Sequence, residues 1–98
     1  MLEAQYQRKL VQTLERIFPG CLVLKNDPTQ LQGIPDLIIL HGRCWAALEV
    51  KESITARSQP NQKHYVSRLN EMSFAAFIFP ENEEDVLNEL QHAFRDCG

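Results

Sequence analysis

The sequence has few cysteines and few aromatic residues, and it has no long apolar run. Its three cysteines, Cys21, Cys44 and Cys97, are odd in number and widely spaced, which is typical neither of a disulfide framework nor of a zinc site. No apolar stretch approaches the roughly 20 residues that span a membrane. Charged residues interrupt the N-terminal segment where a signal peptide carries its apolar region. We therefore expect an intracellular protein in a reducing setting, without a membrane partner.

The sequence also lacks the excess of positive charge that marks many nucleic-acid-binding chains. Ten lysines and arginines stand against 13 acidic residues, which gives a net charge of −3. The acidic residues are concentrated in residues 71–98, whereas residues 41–70 carry five basic residues and two acidic ones. The middle third of the chain can therefore present a positive face to phosphate groups. The alternative is that these basic residues are scattered over a solvated surface.

The remaining composition is that of an ordinary globular protein, with 44% apolar and 23% charged residues. A chain of 98 residues predicts one small domain covering residues 1–98. A domain of this size buries only part of its surface, so association into a homodimer would stabilise it.

Residues 33–51 predict a β-hairpin. Two apolar, β-prone runs flank a turn whose first central residue is Gly42, which favours a two-residue type II′ loop. With that loop the numbers of opposed residues add up to 85, so Asp36 lies across from Glu49 on one face of the sheet. Lys51 points to the same face because side chains alternate along a strand.

These three charged side chains suggest a cation-binding site. Two like charges directly opposite each other destabilise a sheet unless something offsets them. Mg²⁺ prefers oxygen ligands and typically takes one or two carboxylates from a protein. The alternative is an edge hairpin with a surface ion pair between Lys51 and either Asp36 or Glu49.

The N-terminal segment predicts a helix that brings a further carboxylate. Residues 2–17 have apolar side chains at helical spacing. Glu3 and Gln7 are four residues apart and share one side of this helix. Glu3 either serves the acidic site or merely favours the helix dipole from the first turn. Glu15 is the second candidate for an acid that the helix supplies.

The rest of the chain predicts two more strands and two more helices. The hairpin strands are apolar on both faces, which implies helices on both sides of the sheet. The element order is αβββαβα, and the fourth strand should lie parallel to the third. We therefore expect a three-layer α/β/α fold with a mixed four-stranded sheet. The further elements are a strand over residues 21–25, a helix over residues 60–72, a strand over residues 74–79 and a helix after Asn82.

Four pieces of the sequence, taken in order, resemble the signature of PD-(D/E)XK nucleases, and more closely that of the virus-type replication-repair nuclease (VRR-NUC) domain. That family has a helix with Glu-x-x-x-Gln, then G-x-P-D, then E-x-K, and then a Gln that opens the next helix. The pieces extend over nearly the whole chain, and the resemblance implies a restriction-endonuclease-like fold. They are Glu3 with Gln7, Gly33-Ile34-Pro35-Asp36, Glu49-Val50-Lys51, and Gln62.

The resemblance also implies roles for these residues. Asp36 and Glu49 would bind Mg²⁺, for which Mn²⁺ can substitute, and the Val50 carbonyl and Glu3 would be further ligands. Lys51 would orient the attacking water or stabilise negative charge on the phosphate. The catalytic residues that the resemblance implies are therefore Glu3, Asp36, Glu49 and Lys51. Contacts to DNA or to the site are expected from Gln7, Arg57, Gln62, Lys63 and His64.

The function that this resemblance implies is that of an Mg²⁺-dependent, structure-selective DNA endonuclease. Small stand-alone members of the family are similar to Holliday-junction resolvases and act as homodimers on branched DNA, which suggests a role in DNA repair or recombination. The resemblance and the small size also suggest a phage or mobile element, and then the host cytoplasm. Two alternatives stay open. One is a homing or nicking endonuclease with modest sequence preference, and the other is a catalytically silent DNA-binding module.

Overall fold

The computed structural model describes residues 2–27 and 29–98. The polar segment over residues 26–32 has the sequence of a loop, and Pro28 within it lies outside the described residues. The elements follow the predicted order αβββαβα, with boundaries within one or two residues of those expected in most cases. They are α1 (Glu3–Ile17), β1 (Leu22–Lys25), β2 (Leu37–His41), β3 (Cys44–Val50), α2 (Pro60–Met72), β4 (Phe74–Ile78) and α3 (Glu83–Cys97).

The four strands form one mixed sheet in the order β1-β2-β3-β4. β1 pairs with β2, and β2 with β3, in antiparallel orientation. β4 is parallel to β3, because α2 carries the chain back along the sheet between them. This confirms the mixed four-stranded sheet that the element order predicts.

The hairpin of β2 and β3 has the predicted register. Leu37 pairs with Leu48 and His41 pairs with Cys44, so opposed residue numbers add up to 85. Gly42 has a φ of 62°, and among the residues that the structure describes no non-glycine residue has a positive φ. Only the first central residue of the loop is therefore left-handed, which agrees with a type II′ turn.

Helices lie on both faces of the sheet, which confirms the three-layer α/β/α arrangement. The larger core lies between the sheet and the two helices α1 and α3. Its buried side chains include Leu10, Leu14, Ile39, Leu48, Val50, Ile78 and Leu90.

The opposite face of the sheet is covered less completely. Here α2 packs against β3 and β4, and the smaller core contains Val66, Ala47 and Ala75. The apolar hairpin strands predict a sheet that is buried on both faces. In the edge strand β1, however, Leu22 and Leu24 are 62% and 48% exposed. The reason is that one helix is too narrow to cover four strands.

The cysteine analysis was wrong in one respect. The structure pairs Cys44, the first residue of β3, with Cys97, the last residue of α3, in a disulfide whose Cα atoms are 6.0 Å apart. Cys21 is free and half-buried. The two paired cysteines are 53 residues apart, and only the packing of α3 on the sheet brings them together. The inference of a reducing setting from unpaired cysteines therefore loses its basis.

The sequence predicts no membrane-spanning segment. Over residues 2–27 and 29–98, none of the helices is both long enough and apolar enough to cross a bilayer.

Candidate active site

The hairpin brings two carboxylates together at the end where β2 begins and β3 ends. Asp36 directly precedes β2, and the hairpin register places it opposite Glu49. The backbone N–H of Val50 donates a hydrogen bond of 2.9 Å to Oδ2 of Asp36. This bond fixes the Asp36 carboxylate beside Glu49, as the predicted register requires.

Glu49 is the acid of this cluster whose pKa is shifted most. Its side chain is buried, with only 3% of the residue exposed. Burial raises the pKa of Glu49 to about 8, and the negative charge of Asp36 is the next cause. The positive charge of Lys51 acts in the opposite direction, while a hydrogen bond to the Asp36 side chain and the charge of Glu3 raise the pKa further. Without a cation, Glu49 therefore holds a proton near neutral pH.

Lys51 lies beside Glu49 on the same face, as strand alternation predicts. Its Nζ atom is 3.6 Å from Oε2 of Glu49, and only 9% of the residue is exposed. The alternative of a surface ion pair is therefore not what the structure shows, since both partners are buried. An ammonium group held in such a place acts on its neighbours with little screening by solvent.

Gln62 links the charged groups of the site into one network. Its Nε2 donates a hydrogen bond of 3.1 Å to Oε2 of Glu49, and its Oε1 accepts one of 2.8 Å from Nζ of Lys51. The same Oε1 accepts the backbone N–H of Gln59 at the start of α2. These three bonds fix the orientation of the amide, so Gln62 holds Lys51 and Glu49 in place. Sequence reasoning expected Gln62 at the site or at DNA but did not foresee this bridging position.

Glu3 approaches the acidic cluster from the other face of the sheet. It is exposed at the first turn of α1. Burial and then the charge of Asp36 raise the pKa of Glu3, whereas the charge of Lys51 lowers it. The other acid of the helix, Glu15, instead influences Cys21, whose pKa is raised by burial and then by the Glu15 charge. The structure thus brings Glu3, and not Glu15, within electrostatic range of the cluster.

The other predicted contact residues lie around the site at different distances. Gln7 is half-buried and lines a cleft of about 410 Å³ with Val23 and Leu37, on the α1 side of the sheet. Lys63 and His64 are exposed in the first turns of α2, directly after Gln62. Lys63 and His64 therefore lie on the α2 side of the sheet and Gln7 on the opposite, α1 side. Arg57 is exposed in the segment that leads to α2.

A cleft of about 530 Å³ opens next to Gln62, between the segment before the hairpin and the start of α2. Gly33 lines it with a φ of 93°, and a Cβ atom there would lie 2.5 Å from Cβ of Asn61. A side chain at position 33 would therefore push α2 away from the sheet. The G-x-P-D pattern names Gly33, but its contact with α2 is visible only in the fold.

The donor set suits a hard divalent cation. Mg²⁺ is typically bound through one or two carboxylates, with water and substrate oxygens as the other ligands. Asp36 and Glu49 supply two such carboxylates, whose mutual repulsion a cation would relieve. Over residues 2–27 and 29–98 no three His, Cys, Asp or Glu side chains are grouped so that they could hold a metal ion. Glu3 therefore lies outside the immediate pair of carboxylates.

Comparison with known proteins supports the fold. Neither a family model nor a curated protein matches the sequence. Among solved structures, the chain is similar to a VRR_NUC domain protein with a TM-score of 0.70 and 16% sequence identity. The similarity covers 97% of this chain and 89% of that one. The fold is therefore that of a VRR_NUC domain protein, and the resemblance seen in the sequence is confirmed at the level of the fold.

Proposed function

We propose that this chain, which has the fold of a VRR_NUC domain protein, is an Mg²⁺-dependent DNA endonuclease of the PD-(D/E)XK type that cuts branched DNA such as four-way junctions. One observation carries the proposal. Asp36, Glu49 and Lys51 meet at one end of the hairpin, and Gln62 connects the last two. Exposed ion pairs contribute little to stability. A buried network of this kind therefore supports a role in function and not merely a surface ion pair.

The carboxylates are the groups that would hold the metal. Asp36 and Glu49 would supply the principal oxygens, the Val50 carbonyl would be a further donor, and Glu3 would hold either the cation or one of its waters. A bound Mg²⁺ neutralises charge on the phosphate and makes water a better nucleophile near pH 7. Metal ligands act in their deprotonated form, so Glu49 would give up its proton where Asp36 and Glu49 hold the cation.

Lys51 acts on the phosphate or on the attacking water. Its Nζ atom donates to Gln62 at 2.8 Å and lies 3.6 Å from Glu49, so it keeps further N–H bonds for a substrate. A fixed ammonium group stabilises the negative charge that develops in the transition state, and it does so most strongly where water is excluded. Gln62 is a positioning residue in this scheme because it acts through Lys51 and Glu49.

The exposed basic residues near α2 are suited to the DNA backbone. Lys63 and His64 stand exposed in the first turns of α2, directly after Gln62. Arg57 lies in the segment before them. Contacts of this kind provide affinity without base specificity. They agree with an enzyme that selects DNA by its shape.

Selection of branched DNA is the finer part of the proposal, and it goes with a homodimer. A two-fold axis would present two equivalent sites to the two strands of a junction. The host-cell cytoplasm and a phage origin belong to the same proposal, as do roles in repair or recombination. The support for all of these is the resemblance of the motif residues together with the shared fold.

The test compares cleavage of a four-way junction with cleavage of a linear duplex of the same sequence. Each DNA is incubated with Mg²⁺, Mn²⁺, Ca²⁺ or a chelator. We expect Mg²⁺- and Mn²⁺-dependent cuts in the junction only. Cuts at discrete sites in linear DNA would favour the homing or nicking endonuclease instead. Binding to the junction without cleavage under all conditions would favour the silent DNA-binding module.

A further inference from the structure

A cleft of about 410 Å³ lies between α1 and the edge strand β1, on the side of the sheet opposite α2. Its floor is apolar, because Leu37 is buried and Val11 and Val23 are half-buried. Among the residues that the structure describes, no acidic side chain lines it. We call it the α1 cleft, and its polar rim consists of Gln7, Arg8, Gln12 and Lys25.

The two cations of this rim are available to a ligand. Arg8 and Lys25 are exposed, and the ion pairs formed within residues 2–27 and 29–98 involve neither of them. The acid closest to Lys25 in the sequence is Asp27, whose Oδ1 accepts hydrogen bonds from the backbone N–H and the hydroxyl of Thr29 at 2.9 and 2.7 Å. The α1 cleft therefore carries positive charge that a bound anion can neutralise.

The polar rim continues along α1. A neighbouring cleft of about 390 Å³ shares Arg8 and Gln12 with the α1 cleft and adds Gln5 and Lys9. Neither cleft is lined by an acid among the residues that the structure describes. A row of cations and amides suits a polymer of repeating negative charge better than it suits one small anion.

The α1 cleft begins at the same end of the sheet as the acidic cluster. Lys25 pairs with Leu37, the residue that follows Asp36. Asn26, the next residue after Lys25, donates its backbone N–H to the carbonyl of Asp36 at 2.8 Å and its side-chain Nδ2 to the carbonyl of Pro35 at 2.7 Å. These two bonds fix the end of β1 against the segment that carries Asp36, so Lys25 is held close to the site.

We propose that the α1 cleft binds the sugar–phosphate backbone of the DNA strand that reaches the acidic cluster, an inference that rests on the proposed function. Arginine, lysine and glutamine side chains are common donors to phosphate oxygens, and the rim offers two cations and two amides. The apolar floor suits the C–H surface of deoxyribose. Contacts of this kind give affinity and position without reading the base sequence.

This cleft extends the DNA contacts to the second face of the sheet. Lys63 and His64 lie on the α2 side, Arg8 and Lys25 lie on the α1 side, and the acidic cluster lies at the end of the sheet. A strand that crosses this end is then held on both sides of the phosphate that is cut. The distribution of charge along the sequence points only to residues 41–70, because the second surface forms when α1 packs beside β1.

The first experiment measures binding to a four-way junction by fluorescence anisotropy, in Ca²⁺ and at about 50 to 200 mM salt. Arg8→Gln/Lys25→Gln should reduce the slope of log affinity against log salt by about 2, because each phosphate contact contributes about 0.9. The matched control is Arg43→Gln/Arg95→Gln, which removes the same charge from exposed residues at the hairpin turn and in the last turn of α3. It should keep the wild-type slope. An unchanged slope in the α1 cleft variant, or an equal loss in both variants, would overturn the inference.

A charge-conserving variant tests whether the charge itself is responsible. Arg8→Lys/Lys25→Arg should keep the wild-type slope, and its circular dichroism spectrum should match that of Arg8→Gln/Lys25→Gln. If the charge-conserving variant loses as much slope as the glutamine variant, the effect does not come from cations that contact phosphate, and the inference fails.

A second measurement locates the contacts on the DNA. Single phosphates of one junction strand are replaced in turn by neutral methylphosphonates, and the affinity of each DNA is measured. In the wild type, the replacements at phosphates held by the α1 cleft should weaken binding, and in Arg8→Gln/Lys25→Gln the same replacements should have no effect. A variant that keeps the wild-type pattern at every position would contradict the inference, even if its overall affinity is lower.

These outcomes are distinct from those of the cleavage test. If the α1 cleft variant shows the expected loss of slope and the wild type cuts no DNA in any metal, the nuclease function fails and the DNA-binding cleft stands. If the wild type cuts the junction and the variant keeps the wild-type slope, the cleft fails and the nuclease function stands. A wild type that binds no DNA would overturn both.

Discussion

Replacing Glu49 with glutamine is expected to stabilise the metal-free protein at pH 8. The amide has the shape of the protonated carboxyl group and keeps the same hydrogen-bonding capacity. Its oxygen can accept from Gln62, as Oε2 of Glu49 does, and its NH₂ group can donate to Asp36. The substitution removes only the negative charge, which is costly beside Asp36 in a buried position.

The magnitude follows from the raised pKa. The Glu49 carboxyl has an ordinary pKa of 4.5 and a folded-state pKa of about 8. The folded chain therefore binds more protons than the unfolded chain between these values. Its extra stability is complete below pH 4.5 and is lost as the pH rises through 8. From pH 6 to pH 8 the loss is about 2 kcal/mol, or on the order of 10 °C in melting temperature for a domain of this size.

The assay is thermal unfolding followed by circular dichroism at pH 6 and pH 8, with a chelator or with Mg²⁺. In chelator the wild type should melt on the order of 10 °C lower at pH 8 than at pH 6, whereas Glu49→Gln should change little. Mg²⁺ should restore the wild type at pH 8, because the cation binds the charged carboxylates, and it should have little effect on Glu49→Gln. The matched control is Glu15→Gln, an exposed acid on the same protein.

Two results would refute this reasoning. The first is a wild type whose melting temperature in chelator is equal at pH 6 and pH 8. The second is a Glu49→Gln protein that keeps the wild-type pH dependence. Either would mean that Glu49 does not hold a proton near neutral pH, and the case for a cation at this place would weaken with it.

Four further predictions concern other residues. Asp36→Asn should abolish cleavage in Mg²⁺ while junction binding by gel shift remains; a folded variant with near-normal activity would contradict the metal-binding role. Gln62→Ala should lower the single-turnover rate by about 10- to 100-fold, as loss of a supporting hydrogen bond does, and shift its pH profile, whereas Gln62→Glu changes the charge and should not restore it. Glu3→Gln should cut the cleavage rate by orders of magnitude with a stability change below about 1 kcal/mol, and Glu15→Gln should leave the rate intact; the opposite result would show that Glu15 is the acid the helix supplies. Cys97→Ser should lower the free energy of unfolding by up to about 4 kcal/mol, since the cross-link closes a long loop, and equal melting temperatures with and without reductant in the wild type would argue against the disulfide.

Several features of the fold and site could be predicted from the sequence because they depend on local interactions. A two-residue turn with Gly42 sets the hairpin register, and that register alone puts Asp36 opposite Glu49. Strand alternation also predicts the position of Lys51, which lies beside Glu49 as expected. The spacing of apolar residues likewise predicts the helices, because the helical repeat depends only on residues that are close together in the sequence.

Other features depend on contacts between segments that are distant in sequence. The bridge formed by Gln62 requires α2 to begin over the end of β3, and the crossover to β4 sets that position. The contact of Gly33 with Asn61 and the Cys44–Cys97 disulfide arise in the same way, from helices docking on the sheet.

The exposed leucines of β1, Leu22 and Leu24, show most clearly what only the tertiary structure decides. The sequence marks Leu22 and Leu24 as residues of an apolar strand. The apolar pattern on both faces of the hairpin strands correctly predicts helices on both sides of the sheet. It does not predict how many strands one helix covers. That outcome depends on where α2 lies across the sheet, which is set by packing of Val66 on Ala47 and Ala75. The sequence determines which side chains are apolar, and the arrangement of the layers determines which of them remain exposed.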